Sequence, residues 1–155
     1  MNLRASSWLF LSLAACAGGA PPAHPVPDSP LWLTYAGGDG PGRGKHIVLV
    51  AAEQEYRSEQ SMPMLAKILA QRHGFHCTVL FAQKDGLVDP TQKIRWEDKT
   101  VQHDIPGLEH LAKADLLILF SRLITLPDAQ IRHVVDYLDS GKPILGHMHR
   151  AHSPR

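Results

Sequence analysis

The 155-residue sequence predicts one α/β domain built on a parallel sheet, and three observations carry that expectation. Apolar runs recur at Lys45–Ala52, His76–Phe81 and Asp115–Phe120. They are unbroken rather than alternating, the pattern of strands buried on both faces. Segments of helical periodicity lie between them, and strand–helix alternation implies right-handed crossovers into a parallel sheet. The length suits one domain, and 44% hydrophobic with 20% charged residues is ordinary for a globular chain.

Lys45–Ala52 is the first strand. Ser61–Arg72 follows as a helix, with Pro63 in its first turn, Leu65, Ile68 and Leu69 on one face and Gly74 as its C-terminal cap. His76–Phe81 is the second strand. Gln83–Asp104 is a polar insertion holding Trp96, long enough to be either a functional loop or a plain connection. Pro106–Lys113 forms a short helix with Leu108 and Leu111 inward, and Asp115–Phe120 is the third strand. Pro127–Ser140 is a helix with Ile131, Val134, Val135 and Leu138 at helical spacing, ended by Gly141, and Pro143–Gly146 is a fourth, short strand. The winding expected is flavodoxin-like, a three-layer α/β/α arrangement.

The N-terminus reads as an address. Arg4 precedes the apolar run Trp8–Ala15, which is too short to span ~30 Å of hydrocarbon, and small residues follow in signal-peptide order. Leu13-Ala14-Ala15-Cys16 resembles a bacterial lipobox, which implies export, lipid on the Cys16 thiol and a membrane anchor. Cleavage near Ala15–Ala17 or after Ala20, releasing a free periplasmic or extracellular protein, is the alternative. Residues 1–16 are thus a signal peptide. Residues 17–44 are a Pro/Gly-rich linker with little to bury. Within it, Leu31–Tyr35 is an arm or a short edge strand. Cys77 then has no partner for a disulfide or a Cys-based zinc site. A net charge of +1 and the lack of a basic, aromatic-interleaved stripe argue against nucleic acid.

Open parallel sheets bind ligands beyond the carboxyl ends of their strands. Three segments are expected there: Glu53–Glu59, Ser121-Arg122 and Gly146–His149. Glu53, Glu55 and Glu59 are candidate acids or bases, and Tyr56 supplies a phenol. Arg57 and Arg122 suit an anion or a sugar hydroxyl by fork geometry, with Ser58 and Glu59 beside them. A solvated loop with internal salt bridges is the competing reading. His147, His149 and His152 are metal-capable, but Gly, Pro and Arg surround them, so residues 147–155 read as an unstructured tail and no metal is assigned. His46, His73, His76 and His133 read as structural or exposed.

Several motifs together resemble the ThuA-like (trehalose-utilisation) family, within the class I glutamine amidotransferase-like superfamily. They are Gly44–Val50, Glu55-Tyr56-Arg57-Ser58-Glu59, Pro63–Ala66, Ile105–Leu108, Leu126-Pro127-Asp128 and Asp139–Ile144, with Leu33–Tyr35 and Gly37-Gly38 matching the lead-in of exported bacterial members. The resemblance covers about residues 31–146 and implies a link to sugars or glycosides; no nucleotide loop or metal site stands out in the sequence, so no cofactor is assigned. Amidotransferases place a nucleophilic cysteine after the Gly-Lys-Pro strand, where Met148 stands here, and a thioether is no thiolate. Glutaminase chemistry is therefore not expected. Ala52-Glu53-Gln54 also departs from the family's Gly-Asp-Glu. The likeness stops after Gly146, so the domain is expected to be truncated there. Its sheet would then have an uncovered apolar face, a route to self-association in which each wet side chain forgoes roughly 1.5–3 kcal/mol. Three functions follow: a sugar-directed enzyme-like domain, a carbohydrate-binding module without turnover, or an inactive fragment.

Overall fold

A computed structural model describes residues 23–53, 55–88, 103–122 and 124–148. The export segment with Cys16, Trp96 and the tail histidines His149 and His152 lie outside them. The elements are β1 (Trp32–Tyr35), β2 (His46–Ala52), α1 (Ser58–His73), β3 (His76–Phe81), β4 (Gln83–Lys84), β5 (Leu87–Val88), a 3-10 helix (Leu108–Lys113), β6 (Leu116–Ser121), α2 (Asp128–Asp139) and β7 (Ile144–Met148). Five strands form a mixed sheet in the order β1-β3-β2-β6-β7. β3, β2, β6 and β7 run parallel, and β1 pairs antiparallel to β3 as an edge strand. β4 and β5 form a separate hairpin inside the insertion.

β2 is central and buried along its whole length, as its apolar run demands. Its alternate side chains feed two cores. Val48, Val50 and Ala52 join Leu80, Leu108, Leu111, Leu117 and Tyr137 on one face. Ile47, Leu49 and Ala51 join Val79, Phe81, Met62, Ala66 and Ala70 on the other. The 3-10 helix and α2 thus cover one face and α1 the other.

Two helices turn differently from the sequence expectation. α1 begins at Ser58, three residues early, and buries Met62, Ala66 and Ala70 rather than Ile68, which is exposed. The two alanines let its axis approach the sheet closely. In α2 the buried residue is Tyr137, whose hydroxyl donates to Pro143 O at 2.7 Å, while Ile131, Val135 and Leu138 are exposed. The fourth strand also runs on. His147 pairs with Phe120 and Met148 with Ser121, so these two residues belong to β7, not to a tail. Ile144 and Leu145, on opposite faces of β7, are both exposed.

Part of the stretch read as a linker packs against the sheet. Val26 is buried, and His24 Nε2 donates to Cys77 O at 3.1 Å. The His24 ring stands edge-on to His46 and His76, with centroids 5.5 and 5.2 Å away. His46 and His76 are both buried at the amino ends of their strands. The lead-in is clasped by backbone: Gly37 N donates to His76 Nδ1 at 3.1 Å and Gly42 N to His73 O at 2.8 Å. A Cβ on Gly37 would lie 2.1 Å from Gly74 O. Gly74 is itself fixed in the left-handed region (φ 79°) as the cap of α1. Gly37→Ala is therefore expected to cost about 1–3 kcal/mol, as overpacking does. Chemical denaturation checks this, and an unchanged midpoint contradicts it. Among the described residues, no helix is long and apolar enough to cross a membrane.

Candidate functional site

Ala52, Ser121 and Met148 are in register, so β2, β6 and β7 end together at the carboxyl edge of the sheet. Arg122 N donates to Ala52 O at 3.2 Å, which carries the β2–β6 pairing into the loops. The turn after β2 is closed by Glu53 and Ser58. Ser58 N donates to Glu53 O at 3.0 Å, and Ser58 Oγ accepts from Glu53 N at 2.9 Å. Ser58 is buried and holds the turn. Arg57 sits in the left-handed region at φ 57° and ψ 47° as the N-cap of α1. For a residue with a Cβ that conformation costs roughly 1–2 kcal/mol, and such strain is characteristic of functional turns.

The charged residues pair within the cluster. Arg122 Nη1 pairs with Glu55 Oε2, and Arg57 Nε with Glu59 Oε1 at 2.6 Å. Tyr56 is exposed. Internal salt bridges, the competing reading of this segment, are thus present. Glu53 is different: it is 1% exposed, and its Oε1 accepts from Glu55 N at 2.9 Å. Its Oε2 is buried without a hydrogen-bond partner among the described residues. A buried polar oxygen in that state is costly and calls for an explanation.

Other orphaned atoms gather at the same end. Buried and without a partner among the described residues are Arg122 Nε and Ser61 Oγ, together with Gln83 Oε1 and His103 Nε2. The last two come from the insertion, which offered no motif to flag them. His103 N donates to Thr125 O at 2.8 Å, and Gln83 N to Asp104 O at 2.7 Å. The segment His103-Asp104 therefore joins the extension of β3 to the loop after β6, the strands that flank β2. Thr125 N donates to His103 Nδ1 at 3.1 Å. That bond leaves the proton of the neutral ring on Nε2, and burial lowers the His103 pKa, which keeps the ring neutral. Among the described residues His103 Nε2–H and Arg122 Nε–H are then donors without acceptors, and Glu53 Oε2 and Gln83 Oε1 are acceptors without donors.

Cys77 is buried mid-strand, and burial pushes its thiol up to about 12, so it supplies no thiolate. Among the described residues no three His, Cys, Asp or Glu side chains come together as a metal site. Beside the polar cluster, between β6, the 3-10 helix and α2, lies a cavity of about 330 Å³ whose lining includes Ser121 and Arg122. Comparison with protein-family models, with curated proteins and with solved structures finds no match.

Proposed function

We propose that this chain is an exported, ThuA-like domain of flavodoxin-like type that holds a polyhydroxylated ligand, a sugar or glycoside, at the carboxyl end of its sheet. The observation that carries the reading is the number of buried polar atoms without hydrogen-bond partners among the described residues of the loops at the carboxyl end of the sheet, Glu53 Oε2 among them. A hydroxyl both donates and accepts, so vicinal hydroxyls have the chemistry to serve donors such as His103 Nε2–H and Arg122 Nε–H and acceptors such as Glu53 Oε2 and Gln83 Oε1, all of which are closed off from solvent and are reached only if the loops part. A plain anion would satisfy the donors and repel the carboxylate. Export as a lipoprotein through Cys16, and the absence of glutaminase activity, belong to the same proposal. So does self-association through the apolar strand β7, which the exposure of Ile144 and Leu145 supports.

Binding without turnover is a second reading. It is favoured by the pairing of Glu55 with Arg122 and of Glu59 with Arg57, which ties up two of the three candidate carboxylates. Calorimetric titration of the full chain with D-glucose, trehalose and methyl glycosides tests the proposal. Saturable binding by at least one sugar is expected, with no ammonia released from glutamine. Binding of inorganic phosphate or citrate, with no sugar bound, would overturn it.

A further inference from the structure

We infer that residues 24–37 form an acid-released arm: it is clasped to the amino end of the sheet while His46 and His76 are neutral, and protonation of those two rings frees it. Histidine contacts hold the arm at both ends. At its start the His24 ring stands edge-on to His46 and His76, with centroids 5.5 and 5.2 Å away, and its Nε2 donates to Cys77 O at 3.1 Å. At its end Gly37 N donates to His76 Nδ1 at 3.1 Å. Between these points Val26 is buried and β1 pairs with β3. The arm thus helps to cover His46 and His76, each only 3% exposed.

The bond from Gly37 sets the charge of His76. A ring nitrogen that accepts an N–H carries no proton, so the proton of the neutral ring lies on Nε2. An imidazolium there would set two donors against each other in a buried place. His46 is bonded through Nε2 to Thr78 Oγ1 at 2.9 Å, and burial is what keeps it neutral. Burial is also the largest influence that lowers the pKa of His76. With the arm off, both rings meet water and take up protons that the clasped state refuses. Little countercharge offsets them. Asp115 accepts from His46 N at 2.8 Å but pairs with Lys45 Nζ at 3.1 Å. Glu109 lies 4.0 Å from His110 Nε2, a further imidazole, whose ring is edge-on to Trp32 of the arm. In the arm and lead-in, Asp28 accepts from Thr34 Oγ1 and Asp39 pairs with Arg43. Tyr35 and Cys77, paired across β1 and β3, bring no charge in acid. Lys113 in the 3-10 helix, and Arg72 and His73 in the last turn of α1, carry the sign of the incoming protons. Histidine clusters that protonate between about pH 5 and 6 open interfaces in this way.

Amide hydrogen exchange of the 15N-labelled full chain, corrected for the intrinsic rate at each pH, is the test. Between pH 7 and pH 5.5 the protection of Gly37 and of the β1 amides is expected to fall on the order of fiftyfold, as uptake of two protons by ordinary imidazoles requires. Amides of β2 and β6 are expected to stay at least about tenfold better protected than the arm at both pH values, as a local opening demands. His46→Gln combined with His76→Asn, whose Oδ1 replaces Nδ1 as acceptor, is expected to lose the pH dependence of the arm. Equal arm protection at pH 7 and pH 5.5, arm amides as well protected as β2 and β6, or the parent's pH dependence in the double variant would overturn the inference. Should that variant not fold, the ring proton resonances of the parent decide. His46 and His76 titrating in step with loss of Gly37 protection uphold the inference, and their titration while Gly37 stays protected overturns it.

Discussion

Glu53→Gln is expected to make the protein more stable and unable to hold its ligand. Glu53 is almost fully buried, and one carboxylate oxygen has no hydrogen-bond partner among the described residues. Gln keeps the oxygen that accepts from Glu55 N and removes a buried charge. The amide nitrogen that replaces Oε2 is also unpartnered, but an unpaired neutral group costs less to bury than an unpaired carboxylate, so the denaturation midpoint rises. The same change replaces the acceptor proposed for a ligand hydroxyl with a donor, and sugar affinity falls by at least tenfold. Stability gained while function is lost marks a strained site. Measurement of both quantities on one variant checks the prediction. A loss of stability with unchanged sugar binding would mean that Glu53 is a structural residue.

Acid is expected to destabilise the chain by about 3 kcal/mol between pH 7 and pH 4, with His46 as the main cause. Burial is the largest influence on His46 and lowers its pKa from 6.5 to about 4, with the neighbouring His24 and His76 adding to it. The unfolded chain therefore takes up a proton that the folded chain refuses. Stability is complete above pH 6.5 and is lost as the pH falls toward 4, at 1.36 kcal/mol per pKa unit. His76, His103 and His110 are lowered by burial as well and act in the same direction. Asp115 accepts from His46 N at 2.8 Å, and that bond holds its carboxyl below the usual range, so its contribution is lost only in stronger acid. Denaturation curves from pH 7.5 to 4 measure the effect. His46→Gln is expected to flatten the slope by close to one proton. A parent protein with equal stability at pH 7 and pH 4.5 would contradict the account.

The strands were legible because burial on both faces leaves an unmistakable apolar run. His76–Phe81 is found residue for residue, and β2 and β6 differ from expectation only by one residue at their ends. Helix faces were less legible. Ala66 and Ala70 carry the contact of α1 with the sheet, and hydrophobicity alone ranks Leu and Ile above Ala. Tyr137 outranks Ile131 and Val135 in α2 because its hydroxyl has a carbonyl partner in Pro143. At the site, Glu53, Glu55, Arg57 and Arg122 were placed by the rule that ligands meet the carboxyl ends of parallel strands. Gln83 and His103 were not, because their position depends on backbone bonds made by the insertion to β4 and to Thr125. The left-handed Arg57 has no sequence signature, since only the closed Glu53–Ser58 turn demands it.

The central claim is that a polyhydroxylated ligand sits at the carboxyl end of the sheet. Amide chemical-shift mapping of the 15N-labelled full chain during titration with D-glucose and with trehalose tests it most directly. Saturable shifts concentrated at Glu53–Glu59, His103 and Ser121–Arg122 are the result the account predicts. Shifts confined to the opposite end, around His24, His46 and His76, or no shifts with either sugar, would contradict it.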